Sequence, residues 1–121
     1  MFKNAIVRKP CPTLAKGLSS ASLGIPDYSK ALIQHENYVA ALHQCGMEVR
    51  VLEADPHFPD STFVEDVALC TPVCAILTNP GAPSRNRETV AMKPILQSFY
   101  SKVESIEFPG TLDAGDVMMV G

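Results

Sequence analysis

Positive charge is scarce in this sequence. Ten Lys and Arg stand against thirteen Asp and Glu, a net charge of −3, and the basic residues are scattered along the chain. That argues against nucleic acid or an anionic membrane as the main partner. A long apolar run is also missing from the start, where "MFKNAIVRKP" offers only three consecutive apolar residues before Arg8, Lys9 and Pro10. A signal peptide needs a longer stretch and a membrane span a longer one still. A cytoplasmic location is the expectation, and there Cys11, Cys45, Cys70 and Cys74 should be free thiols. Neither Cys-x-x-Cys nor His-x-x-x-His occurs, so a transition metal has no support.

What is present suits one small domain: 121 residues, 46% of them apolar, enough to bury a core. Prolines at 10, 12, 26, 56, 59, 72, 80, 83 and 109 punctuate loops. "NAIVR" (4–8) suits a strand, and the Pro-, Gly- and Ser-rich 9–26 a long surface loop. Asp27 then reads as an N-cap, with Tyr28, Leu32, His35, Val39 and Leu42 at helical spacing and Gly46 as a stop. This predicts a helix over 28–45.

"EVRVL" (48–52) alternates as a strand does, and 66–71 with 73–78 reads as an antiparallel pair around the Thr71-Pro72 turn. Residues 87–100 have helical spacing at Val90, Ile95 and Phe99. Pro94 falls inside that span, where it costs about 3 kcal/mol, so a kink or two short pieces are expected. "VESIEF" (103–108) reads as a strand, and Val117 to Val120 as the start of a buried one with Met118 and Met119 in the core.

Helix, strand, acidic loop and strand thus occur twice, with Glu65-Asp66-Val67 and Gly115-Asp116-Val117 about 50 positions apart, a hint of modular construction. Asp60, Glu65, Asp66, Asp113 and Asp116 all fall at loop-to-strand junctions. If the two units stack, these carboxylates converge. They lack the dense oxygen spacing of a calcium loop. Proton work and a planar cationic ligand such as a guanidinium remain open, beside the plainer role of turn residues and solvated charges.

"FPDSTFVEDVALC", "NPGAPSR" and "PGTLDAGDVMMVG", taken in order with "SASLGIPDYSKALIQHENYVAAL", resemble the N-terminal half of the dimethylarginine dimethylaminohydrolases. These enzymes belong to the guanidino-group-modifying superfamily, with arginine deiminase and the amidinotransferases. "FVED" and the acidic Gly-Asp piece occur widely there, whereas "PDSTFVED" joined to "PGAPSR" favours the dimethylargininase branch. The resemblance runs over the whole chain. It implies an α/β fold, about two of the five modules of a pseudo-fivefold β/α-propeller (the pentein fold). Residues 1–121 would be the N-terminal portion of one catalytic domain.

The implied activity is hydrolysis of Nω-methylated arginines to citrulline and dimethylamine or methylamine through a Cys-thiouronium intermediate, with no cofactor and no metal. The implied partner is a small-molecule substrate, not nucleic acid or membrane, and homo-oligomerisation stays open. Carried onto matching positions, Asp66 grips the guanidinium nitrogens. Asp60 and Glu65 complete the polar wall, Asp60 nearer the α-amino group. Arg85 pairs with the α-carboxylate, Leu18 meets the substrate from the lid loop through its carbonyl, and Asp113 orients the catalytic His.

That His, the nucleophilic Cys and a second substrate Arg belong to the family's C-terminal half, so these 121 residues alone are expected to be inactive. A ring cut after two modules should also be poorly stable or self-associating. His35 and His43 fit packing or surface roles better than catalysis, and His57 lies nearer Asp60 without matching the family's His. The four cysteines fit small buried or loop residues. Arginine deiminase, or a noncatalytic guanidinium-binding module, is the alternative function.

Overall fold

The computed structural model describes residues 2–118 and 120. It is a mixed α/β structure in two compact units, Met1–Thr62 and Phe63–Gly121.

In the first unit, strands β1 (Asn4–Arg8) and β2 (Glu48–Leu52) pair in parallel, with Val7 opposite Val51. A parallel pair needs a crossover, and helix α1 (Tyr28–Gln44) provides it. The Asp27 carboxylate accepts a hydrogen bond from Lys30 N at 2.9 Å and so caps α1. Gly46 ends the helix with a φ of +80°, a conformation that strains any residue with a Cβ. The stripe Tyr28, Leu32, His35, Val39 and Leu42 is the half-buried face of α1, whereas Ile33 and Tyr38 are exposed. Replacing Asp27 with Ala should lower stability by about 1 kcal/mol, the usual worth of an N-cap. Urea unfolding followed by circular dichroism at 222 nm measures it, and an unchanged midpoint would refute the capping role.

The long loop begins differently from expectation. Pro10 and Cys11 are buried, and the Cys11 thiol sits 3.1 Å from Thr13 Oγ1 and 3.7 Å from the carbonyls of Phe58 and Pro59. Cys11 is therefore a core residue rather than part of a mobile surface segment. After a 3-10 turn at Leu14–Lys16, residues 18–27 are exposed.

His35 links α1 to β1 through the Arg8 backbone, and desolvation lowers its pKa despite that bond and the nearby Glu36. The folded unit thus prefers neutral His35, and the unfolded chain takes up the proton first as pH falls. Stability should drop as pH goes from about 7.5 to about 5.5. Urea midpoints at the two pH values, in wild type and H35Q, measure this. An equal drop in H35Q would assign it to other groups.

In the second unit, β3 (Ala68–Cys70), β4 (Ala75–Leu77) and β5 (Val103–Ser105) form a three-stranded sheet in that order. The β3–β4 pair is antiparallel, as its turn signal predicts, and β5 runs parallel to β4. β5 is shorter than the 103–108 run, and Phe108 is exposed. Val117 and Met118 are exposed and outside any strand, so the expected buried strand does not form there. Met119 lies outside the described residues.

Helix α2 (Glu88–Gln97) runs through Pro94 as one helix. Its buried stripe is Glu88, Met92 and Leu96, while Val90 is exposed. The bond that Pro94 cannot make would go to the Val90 carbonyl, on a side where water can serve instead. The helix packs on β4 and β5 over Ala75, Leu77, Met92 and Leu96. Of the apolar residues whose spacing marks this helix, Ile95 is half-buried on the same face, Val90 points to solvent and Phe99 is exposed just beyond the helix end, while a carboxylate, Glu88, takes an inward position.

Candidate functional site

In the first unit the carboxylate of Asp60 is buried against the chain entering the exposed loop. Both of its oxygens accept from Leu18 N, each at 3.1 Å. Gly17 lets them come so close, since a Cβ there would stand 2.4 Å from Asp60 Oδ1. The Leu18 side chain is exposed. His57, also exposed, places its backbone N–H on Asp55 Oδ1 at 3.1 Å.

In the second unit the acidic echo is structural, because Val64–Asp66 and Ala114–Asp116 each form a 3-10 turn and the two turns pack together. Thr78, buried at the end of β4, donates from Oγ1 to the Asp66 carbonyl at 2.7 Å and from its N–H to the Val67 carbonyl at 3.1 Å. The Asp66 backbone is thus held from the sheet. Its Oδ1 lies on Gly115, where a Cβ would come within 2.4 Å of it. Glu65 is exposed, with Cγ along the same glycine.

Arg85 is buried between two carboxylates. Its Nη1 donates to Asp66 Oδ2, its Nε to Glu88 Oε1 at 3.1 Å, and its Nη2 to Glu88 Oε2 at 2.9 Å and to the Phe63 carbonyl at 3.0 Å. The Arg85 and Glu88 side chains are 8% and 5% exposed, so this pairing is largely desolvated. Burial alone would weaken the Arg85 charge. The hydrogen bonds and charges of Glu88 and Asp66 outweigh it and raise the pKa further. Arg85 therefore stays a cation throughout.

Asp113 does not cap its own turn. Its Oδ2 accepts from Gly81 N at 3.0 Å, while Asn79 Nδ2 donates to the Gly110 carbonyl at 2.7 Å, tying loop 79–86 to the second acidic loop. Asp116 and Arg87 are exposed. Cys70 is part-buried, and desolvation raises its pKa despite a hydrogen bond with Tyr100. Its thiol is a poor nucleophile. Among the described residues no cluster of His, Cys, Asp or Glu is placed to hold a metal, and no helix is long and apolar enough to cross a membrane.

Of the residues singled out from sequence, the structure brings Leu18 together with Asp60, and Asp66 together with Arg85. Glu88 was missed. Its signals were available, an acid in the first turn of a helix three residues after Arg85, but such pairs are usually exposed.

Comparison with known proteins gives the class first. The N-terminal domain of ArgZ, a cyanobacterial arginine dihydrolase, superposes with a TM-score of 0.82 at 15% identity, over 96% of this chain and 44% of that one. The chain therefore has part of the mixed α/β pentein fold. The Pseudomonas aeruginosa dimethylarginine dimethylaminohydrolase, solved as a Cys-to-Ser mutant complexed with citrulline, superposes with a TM-score of 0.98 at 54% identity, over all of this chain and 48% of that one. A Streptomyces coelicolor N(G),N(G)-dimethylarginine dimethylaminohydrolase is 41% identical over 98% of this chain and 46% of its own length. The model of the eukaryotic N,N dimethylarginine dimethylhydrolase family matches residues 26–115. The chain belongs to the dimethylarginine dimethylaminohydrolase family. It spans about half the length of the curated relatives it matches.

Proposed function

We propose that these 121 residues are the N-terminal portion of a hydrolase that converts Nω-methylated arginines to citrulline and dimethylamine or methylamine. One observation supports it beyond family membership: Asp66 already holds a guanidinium, that of Arg85, in a largely desolvated setting. A carboxylate placed this way suits the substrate's guanidinium, whose fork of donors matches it.

In the proposed reaction a Cys thiolate from outside the 121 residues attacks the central guanidinium carbon. A His, also from outside, delivers a proton to the departing dimethylamine. Water then adds to the S-alkylthiouronium carbon while the same His, now neutral, takes a proton from it, the second proton passes to solvent, the C–S bond breaks, and citrulline leaves with the thiolate restored. Asp66 grips the guanidinium nitrogens, Asp60 and Glu65 complete the polar wall with Asp60 nearer the α-amino group, the Leu18 carbonyl meets the substrate, and Arg85 pairs with the α-carboxylate. Asp113 orients the His. Fixing the substrate at both ends keeps its carbon on the sulfur, and that positioning is the chain's share of catalysis. The chain would supply part of a β/α-propeller of five modules.

The test is product analysis on a protein that carries these residues together with the partner Cys and His. Citrulline with dimethylamine from asymmetric dimethylarginine is expected. Citrulline with ammonia from arginine, and nothing from the methylated substrate, would replace the proposal with an arginine deiminase. Residues 1–121 alone are expected to release no citrulline.

A further inference from the structure

We infer that Glu88 is a positioning residue for the proposed clamp, gripping the Nε–Nη2 edge of Arg85 so that the Nη1 edge is aimed at Asp66. The inference rests on the proposed function of Asp66 and Arg85 and adds a residue to it.

Glu88 stands in the first turn of α2 with its side chain buried, and it spends both oxygens on Arg85. An acid turned into a helix's core stripe is expensive unless paired. Here the stripe of Met92 and Leu96 seats α2 on the sheet, and the helix N-terminus favours a negative charge at this end. Glu88 therefore has a fixed origin, unlike a loop carboxylate.

An arginine has five N–H donors in one plane. Holding the Nε–Nη2 edge from one side sets where the plane and the Nη1 edge lie, because a two-point grip removes rotation about the guanidinium axis. The Phe63 carbonyl adds a third point on Nη2, just ahead of the turn that carries Asp66. Asp66, 22% exposed, is the more open of the two carboxylates. When Asp66 turns to a ligand's guanidinium, Glu88 still compensates the Arg85 charge and keeps it in place. The proposed reaction uses Glu88 for no other purpose.

The experiment compares wild type with Glu88→Gln in the catalytically complete protein. The amide keeps the shape and one acceptor but loses the charge and the two-point grip. The expected result is a KM for asymmetric dimethylarginine raised about tenfold or more, the scale of a lost charged hydrogen bond, with kcat within about twofold. A merely structural Glu88 would lower the melting temperature and leave KM alone, and that outcome overturns the inference. The second readout is the Arg85 Nε–H resonance in 15N-labelled protein, assigned by its disappearance in Arg85→Lys. In wild type it should be slow to exchange with water, and Glu88→Gln should speed its exchange at least about tenfold. An unchanged exchange rate also overturns the inference. If wild type releases no citrulline, the proposed function fails, and the Arg85 resonance still decides whether Glu88 holds the guanidinium.

Discussion

Replacing Arg85 with Met should be the most damaging single change in the second unit, lowering stability by about 3–5 kcal/mol. That is the usual cost of leaving a buried ion pair without one partner. Two carboxylates converge on this guanidinium, Glu88 nearly inaccessible and Asp66 less so. Met fills much of the volume but leaves both acids facing each other with no cation between them. Arg85→Lys keeps the charge and should recover only part of the loss, because one ammonium cannot serve the Nε–Nη2 edge, the Nη1 edge and the Phe63 carbonyl together. Urea unfolding of the three proteins measures the order wild type, Lys, Met. A Met variant as stable as wild type would mean that the network adds nothing net, as some buried ion pairs do.

Substituting Gly115 with Ala should have the second-largest effect, and it acts on Asp66 without touching its chemistry. The new Cβ would lie 2.4 Å from Asp66 Oδ1 and 3.3 Å from Glu65 Cγ. A long surface side chain would swing away at little cost. Asp66 is short, and its other oxygen is bound to Arg85, so either that ion pair breaks or the two packed 3-10 turns separate. A loss of about 1–3 kcal/mol is expected, the range for overpacking a tight site. Binding of methylated arginine by the complete protein should fall with it. Gly17 poses the same problem to Asp60 in the first unit, with the same 2.4 Å approach. Thermal unfolding and ligand calorimetry of Gly115→Ala test this. Unchanged affinity with unchanged stability would show that Asp66 can move freely and is not held where the proposed chemistry needs it.

Much of the fold was legible from local pattern. The Asp27 cap, the stripe from Tyr28 to Leu42 and the Gly46 stop define α1 within a residue, because each feature acts within a turn or two of chain. The alternation in "EVRVL" and the Thr71-Pro72 turn worked for the same reason. Pattern failed at two positions of α2, where apolar spacing included the exposed Val90 and gave no sign of Glu88 on the buried face. There an ion pair with Arg85 turned an acid inward, and apolar periodicity does not encode that. It failed again at Cys11, whose loop composition suggests exposure while its thiol is enclosed by Thr13 and the carbonyls of Phe58 and Pro59.

By itself the sequence determined the α/β class, the order of the helices and strands as far as β5, the acidic echo and, through its motifs, the family. These depend on short-range backbone preferences and on residue identities in a line. Only the tertiary structure decided which charge meets which. Asp66 and Arg85 lie 19 residues apart, Asp113 and Gly81 lie 32, and Leu18 and Asp60 lie 42. No helical or strand period spans such separations. Whether a carboxylate becomes a solvated turn residue or a buried clamp depends on the desolvation that packing imposes, and at Glu88 packing put the charge inside.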